Sequence, residues 1–296
     1  MHHCIQQQFI HTYNEKIMEK VWLITGCSTG FGRSLAQEVL AKGYRAVITA
    51  RKTADIEDLV SKHPGTAIAL PLDVTKQEEI MRTVTTAIHQ FGQIDVLVNN
   101  AGIGYFAAIE ESEEAEVRKM FEINIFGLAK VTQAVLPYMR KRRSGHILNI
   151  ASIGGLRSFP GVGFYNATKY AVDGLSEALY KEVAPLGIHV TIIAPSGFRT
   201  DWAGRSAKNT SIQIEDYAGT AWKNMGDIRG YSGHQPGDPV RAAKAMIQVT
   251  EAEHPPLRLL LGAAALRGAR AKLAELQHDF DTWASVTEGA DFPKEA

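Results

Sequence analysis

The apolar stretch Val21-Trp22-Leu23-Ile24-Thr25 runs directly into Gly26-Cys27-Ser28-Thr29-Gly30-Phe31-Gly32, and a helical pattern from Arg33 to Lys42 follows. A short apolar run, a glycine-rich turn and a helix in that order leave few folds open. Glycines there permit a tight turn and close approach to a pyrophosphate, whose charge a helix N-terminus favours. A turn with a purely structural role is the competing reading. The rest of the chain keeps the same alternation. Strands are expected at Tyr44–Ala50, Thr66–Leu72, Ile94–Val98, His146–Ile150, His189–Ala194 and Leu257–Leu261. Helices are expected between them, at about Lys76–Gln90, Ser112–Lys141 and Pro239–Thr250. With no two strand runs adjoining, the pattern calls for an α/β fold with a parallel sheet covered on both faces.

Composition narrows the function. A chain of 296 residues, 45% hydrophobic, has ample material for a core. Basic and acidic residues balance at 32 each, so charge gives no argument for nucleic acid or an anionic membrane as partner. Only two cysteines occur, Cys4 and Cys27, which argues against a disulfide framework and suits a reducing, cytoplasmic setting. The histidines show no metal spacing, so no metal is expected. No apolar run reaches the roughly eighteen residues a membrane span needs. Residues 1–17 match neither a secretory signal nor any period, and they read as a dispensable extension ahead of a single domain over 18–262.

The end of the second strand bears on cofactor choice. In a βαβ dinucleotide unit an acid there binds a ribose 2'-hydroxyl and a base binds a 2'-phosphate. Ala50 leaves the acid position empty and Arg51 offers a planar cation, so NADP(H) is expected over NAD(H). Downstream, Tyr165-Asn166-Ala167-Thr168-Lys169 lies in a helical pattern, and residues four apart share a face. A free phenol has a pKa of about 10. An ammonium at roughly 4 Å, with an effective dielectric near 20, favours the phenolate by about 4 kcal/mol, on the order of three pKa units. Tyr165 would then approach the range where acid-base catalysis works. Ser152, just past the C-terminal end of a strand, places a hydroxyl where open parallel sheets bind ligands. Asn124 sits in the otherwise apolar Met120-Phe121-Glu122-Ile123-Asn124-Ile125-Phe126, as a helix irregularity or as a functional amide.

The set Thr25-Gly26-x-x-x-Gly30-x-Gly32, Asp73, Asn99-Asn100-Ala101-Gly102, Ser152 and Tyr165-x-x-x-Lys169 resembles the short-chain dehydrogenase/reductase family, in its compact single-domain branch, over roughly residues 20–262. The resemblance implies a three-layer, Rossmann-type doubly wound sheet of seven strands binding a nicotinamide dinucleotide. It implies Asn124, Ser152, Tyr165 and Lys169 as the catalytic set, with Asn124 holding a water that links the lysine to solvent. It implies cofactor contacts from Gly26, Ser28, Thr29, Gly30, Phe31, Gly32, Arg51, Asp73, Val74, Asn99, Ala101, Gly102, Tyr165, Lys169, Pro195 and Thr200, with Asp73 at the adenine and Asn99 near the ribose. Ser196 stands where the family usually has glycine after Pro195, and Thr200 keeps its spacing. The implied reaction moves a hydride between nicotinamide and a carbonyl or secondary alcohol. A sugar-nucleotide epimerase or dehydratase with bound NAD and a non-catalytic dinucleotide sensor are the rivals; Arg51, the turn spacing and the complete catalytic set weigh against them.

Residues 196–236 have poor periodicity and many loop formers, which short helices in a substrate lid would explain. If Trp202, Tyr217, Trp222 and Tyr231 line a pocket, the substrate is sizeable and apolar. Arg140-Lys141-Arg142-Arg143 reads as helix C-capping rather than a nucleic-acid patch. Ala263–Trp283 is expected as a helix with Leu266, Ala269, Leu273, Leu276 and Phe280 on one side, in an extension over 263–296 that docks on the domain or a partner. A homodimer or homotetramer is expected.

Overall fold

The computed structural model describes residues 20–204 and 206–292; the extension over 1–17 lies outside the described residues. In β1 (Val21–Ile24), Val21 and Leu23 join the core on one side of a sheet and Trp22 and Ile24 the core on the other, all fully buried. A strand covered on both faces reads as a continuous apolar run because neither side is left to water. The same holds along β2 (Arg45–Ala50) and β4 (Val96–Asn99), while β3 (Ala67–Pro71), at the sheet edge, is mostly half-buried. A short β5 (Gly104–Phe106) follows, then β6 (Gly145–Ile150), β7 (Ile188–Pro195), a short β8 (Ala207–Asn209) and β9 (Arg258–Leu261). The main sheet runs β3-β2-β1-β4-β6-β7-β9, seven strands with every neighbouring pair parallel. This is the expected doubly wound architecture, and the strand order reverses between β1 and β4, where such sheets open a ligand crevice.

Helices α1 (Gly30–Ala41), α2 (Gln77–Phe91), α3 (Glu114–Phe121), α4 (Leu128–Arg142), α5 (Gly163–Val183), α6 (Lys223–Gly230), α7 (Pro239–Glu251) and α8 (Ala263–Glu288) complete the frame. Leu35 and Val39 of α1 and Met246 of α7 pack on one face with Trp22 and Ile24. Ile80 and Val84 of α2 and Val131 and Val135 of α4 pack on the other with Val21 and Leu23. The basic run at the end of α4 is used in capping. Arg143 adopts the left-handed C-cap conformation and donates to Pro185 O at 2.6 Å, while Arg142 donates to Ile94 O at 3.2 Å and pairs with Asp95.

Three expectations change. The single helix over Ser112–Lys141 is two helices, α3 and α4, joined by a π-helical turn at Glu122–Gly127. The strands β5 and β8 form a separate parallel pair; at three residues each they are too short to show a period. Helix α8 is longer than expected, and the face it buries is its small-residue face, Ala265 and Ala269, with Gly268 against Ile153. Leu266, Leu273, Phe280 and Trp283 point to solvent at 43 to 67% exposure. Small residues let the helix axis approach the loop after β6 closely, which leucines at those positions would prevent. No described helix is long and apolar enough to cross a membrane.

Candidate active site

The turn between β1 and α1 is sewn to the loop after β4. Thr25 Oγ1 accepts from the backbone N–H groups of Asn100 and Ala101 at 2.9 and 3.0 Å, and Asn100 Nδ2 donates to the carbonyls of Thr25 and Gly26 at 2.9 and 2.8 Å. Two glycines permit this approach. Gly26 has φ +71° and a Cβ there would lie 2.9 Å from Ala101 Cα; a Cβ on Gly32 would lie 2.4 Å from Gly26 O. The N-cap of α1, Thr29, makes no side-chain cap, and no acid occupies the first turn. The positive end of α1 is therefore not neutralised by its own side chains, and Ser28, Thr29 and Gly30 present it to a cavity of about 1840 Å³. That is the chemistry a pyrophosphate requires.

One arm of the cavity reaches the ends of β2 and β3, where Ala50, Arg51, Asp55, Asp73 and Val74 line it. Asp73 is ordered by Thr75, whose N–H and Oγ1 donate to Oδ1 at 3.0 and 2.7 Å. Burial pushes this carboxyl up, but the Thr75 bonds with Lys76 and Arg51 nearby hold it below its ordinary value.

The other arm opens over the ends of β6 and β7. Ser152 caps a one-turn helix at Ile153–Gly155, its hydroxyl accepting from Gly154 N–H at 3.0 Å. The same serine lines the cavity with the phenol of Tyr165 and favours its ionised form; α5 brings Tyr165 in together with Lys169. Lys169 Nζ lies 5.6 Å from the Tyr165 ring centroid and donates to Ile150 O at 2.8 Å. Burial decides the ionisation of both groups. It pushes the Tyr165 phenol up to about 12, against the lowering effect of the Ser152 hydroxyl. It draws the Lys169 amine down to about 8. The expected fall of the tyrosine toward neutrality is therefore not a property of the pair alone: burial of the phenol raises its pKa, and Ser152 only partly offsets that.

Asn124 sits on the π-helical turn, 2% exposed. Its Nδ2 donates to Ile103 O at 2.9 Å and to Thr168 Oγ1 at 3.2 Å, and its Oδ1 accepts from Ile103 N–H at 2.9 Å. The amide thus ties the loop after β4 to α5, one residue from Lys169. A π-turn sets one residue inward from the helical register, as such bulges do at functional sites.

The segment after β7 roofs this arm. Trp202 packs against Tyr165 with ring centroids 4.8 Å apart and against Phe106 at 5.6 Å, both pairs tilted at about 50°. Phe159, Val162 and Ile228 add further apolar wall, and Glu116, Lys119, Lys208 and Asp227 add polar lining. Of the four lid aromatics, Trp202 and Tyr231 line the cavity; Tyr217 and Trp222 instead bond Glu110 and Glu111.

A family model described as short chain dehydrogenase matches residues 20–211. The chain belongs to the short-chain dehydrogenase family. It is an oxidoreductase fold relative in detail as well as in outline: a short-chain dehydrogenase from Streptomyces avermitilis is 42% identical, with TM-score 0.87 over 92% of this chain and 98% of that one. A 3-ketodihydrosphingosine reductase from Bacteroides thetaiotaomicron is 37% identical over 82% of this chain and 88% of its own length. A family member from Burkholderia phymatum, solved in complex with NAD, is 25% identical, with TM-score 0.76 over 87% of this chain and 95% of that one.

Within this dehydrogenase, most residues marked in the sequence meet at the one cavity: Gly26, Ser28, Thr29, Gly30, Phe31, Arg51, Asp73, Val74, Ala101, Gly102, Ser152, Tyr165, Lys169, Pro195 and Thr200 all line it. Three do not. Gly32 packs α1 on the turn, and Asn124 acts from behind the wall. Asn99 is corrected: its side chain is 3% exposed and donates to Thr132 Oγ1 at 2.9 Å and Asn149 Oδ1 at 2.8 Å, inside the layer between sheet and helices. Alternation along β4 turns Asn99 inward and leaves Asn100 to the turn. Asp55 was missed. It lies on a one-turn helix just after β2 and shares the Arg51 end of the cavity, so an acid is present there although Ala50 is not one. The cavity wall from α8, including Arg267 and Gly268, was missed because no local pattern marks it. Among the described residues no group of three or more His, Cys, Asp or Glu could hold a metal.

Proposed function

We propose that this dehydrogenase uses NADP(H) to interconvert a sizeable, largely apolar ketone or aldehyde and its alcohol. The reading rests on one observation above the others: a phenol and a serine hydroxyl lining the same cavity, with a buried lysine amine beside the phenol ring, at the C-terminal ends of the strands. The bare end of α1 would hold the pyrophosphate, Asp73 and Val74 the adenine side, Arg51 the 2'-phosphate and Lys169 the nicotinamide ribose. When bound, the dinucleotide supplies or accepts the hydride and, oxidised, adds a positive ring charge near Tyr165.

In the reducing direction Tyr165 donates its proton to the substrate oxygen, and Ser152 hydrogen-bonds that oxygen as charge builds on it. A phenol held protonated by burial is suited to that role. Lys169 remains largely cationic near neutral pH and favours the phenolate left behind. Asn124 is a positioning residue that keeps α5 and the Ile103 loop in register, with the proton relay to solvent running past it. The aromatic roof of Trp202 and Phe159 supports an apolar substrate body, and the Bacteroides relative named 3-ketodihydrosphingosine reductase points the same way.

Incubation with NADPH and a graded panel of ketones, beside NADP+ with the matching alcohols, tests the reading. Oxidation of NADPH that rises with the apolar bulk of the ketone is expected. Activity confined to small charged ketones, or a kcat/KM with NADH at or above that with NADPH, would overturn the substrate and cofactor assignments respectively.

A further inference from the structure

The acidic run Glu110-Glu111-Ser112-Glu113-Glu114-Ala115-Glu116 suits the positive end of a helix, but most of its carboxylates are turned elsewhere. Glu116 pairs with Lys208 at 2.8 Å, Glu113 accepts from Ser211 N–H at 3.3 Å and Oγ at 3.1 Å, and Glu110 bonds the Tyr217 hydroxyl at 2.5 Å. All three contacts lie on exposed side chains and are screened by water. Glu111 differs. It is 0% exposed, accepts from Ile214 N–H at 2.7 Å and Trp222 Nε1–H at 2.8 Å through Oε1, and from Ala108 N–H at 3.2 Å through Oε2. Burial pushes this carboxyl up, yet the three donors hold it below its ordinary value, so it stays ionised. Glu111 itself is fully buried, so its carboxylate cannot turn to water in exchange for a lost donor, and each bond is costly to lose.

Trp222 immediately precedes α6, and α6 with the residue after it supplies Asn224, Asp227, Ile228 and Tyr231 to the cavity wall. Fixing Trp222 and Ile214 therefore fixes where that wall stands. We infer that Glu111 is a positioning residue for substrate fit, a buried carboxylate that holds the lid over residues 211–231 at the distance from Tyr165 the substrate requires. The inference rests on the reading of the outer arm as the substrate chamber. Glu111 touches neither cavity nor reacting atoms, so its effect falls on substrate affinity and not on chemistry.

The test is Glu111→Gln, Trp222→Phe and the double variant, each examined by steady-state kinetics, NADPH binding and amide hydrogen exchange. A glutamine cannot accept from Ala108 and from the two lid donors together, so one contact is always lost. The expected result for Glu111→Gln is a KM for the carbonyl raised about tenfold, with kcat and the NADPH Kd within about twofold. Trp222→Phe should raise KM severalfold, and the double variant should cost less than the two changes added together, because both act on the one set of contacts that the Glu111 carboxylate holds. Exchange should quicken over 211–222 and not in β1 or β4. An unchanged KM with unchanged exchange over 211–222, or additive effects in the double variant, would overturn the assignment. Should Glu111→Gln fail to fold, Trp222→Phe carries both readouts by itself. Exchange needs no turnover, so inactivity of the wild-type protein on every carbonyl would sink the functional reading, while the latch would still stand or fall on the exchange of 211–222.

Discussion

The floor of the cavity and its roof are built on different principles. The floor consists of strand ends and tight turns: Thr25, Asn100, Ser152 and Lys169 are each held by backbone groups from an adjoining strand, turn or loop, over a core in which most side chains are fully buried. Apart from the short β5–β8 pairing, the roof, from Thr200 to Gln235, rests largely on side-chain contacts to remote stretches, such as Trp222 to Glu111 across 111 positions of sequence. Ile212 and Tyr231 in the roof are 44% and 54% exposed. Sheet register makes the floor rigid and precise, while a roof held by a few polar contacts can change with its sequence without disturbing the chemistry below. The difference separates how a proton moves from what receives it.

That division can be broken by experiment. On the floor, Tyr165→Phe should lower kcat at least a thousandfold, roughly the scale of a lost general acid, with NADPH affinity unchanged; retained turnover would mean that the proton comes from elsewhere. Arg51→Ala should cut the kcat/KM preference for NADPH over NADH by about ten- to a hundredfold, the worth of one or two charge-assisted bonds. Asp55→Ala, at the same end, should move the preference the opposite way. On the roof, Trp202→Ala should raise KM for an apolar ketone about tenfold while kcat moves less, since it removes stacking area from the substrate chamber. An equal fall in kcat would place Trp202 with the chemistry and erase the division.

Acid should act on the two regions in sequence. His146, beneath the floor, is 5% exposed, shares a hydrogen bond with Thr191 Oγ1 at 2.9 Å, and has its imidazole pushed down to about 3 by burial, with His189 and Lys20 adding to the effect. A histidine with a depressed folded pKa stays neutral in the fold while the unfolded chain takes up protons below about 6.5. Stability is complete above that value and falls as pH drops from 6.5 toward 3, at most about 1.4 kcal/mol per unit from this group. Glu111 acts in the same direction but at lower pH. Its stabilisation is present above the unfolded value and is lost only as pH falls through its lowered folded value. Urea unfolding between pH 7.5 and 4 should thus weaken through His146 before the roof releases, and His146→Gln should flatten the profile. The smallest effect should come from Lys208→Ala, whose ion pair with Glu116 is screened by water at the lysine; KM should change by less than about twofold.

Legibility in the sequence followed the same boundary. Gly26, Ser152, Tyr165 and Lys169 were readable because each lies within a few residues of a strand end or on one helix face, where the backbone period sets direction. Asn99 was misplaced by the smallest such step, since one residue along a strand reverses the face. Asp55, the α8 wall and the roles of Glu110, Glu111 and Glu113 left no local mark; the acids near Ser112 suited a helix start equally well. The ionisation of Tyr165 was also out of reach, because spacing sets the distance to Lys169 but only the surrounding packing sets the dielectric.

By itself, then, the sequence determined the order of strands and helices, the turn that presents the end of α1, and the alignment of Tyr165 with Lys169, all consequences of backbone periodicity and glycine stereochemistry. Tertiary structure alone decided that Asn124 would brace Ile103 against α5, that burial would govern the phenol, and that a carboxylate at Glu111 would hold a tryptophan from the far end of the lid. Those are long-range contacts, and their energies come from desolvation and from donors that no neighbouring residue in the chain supplies.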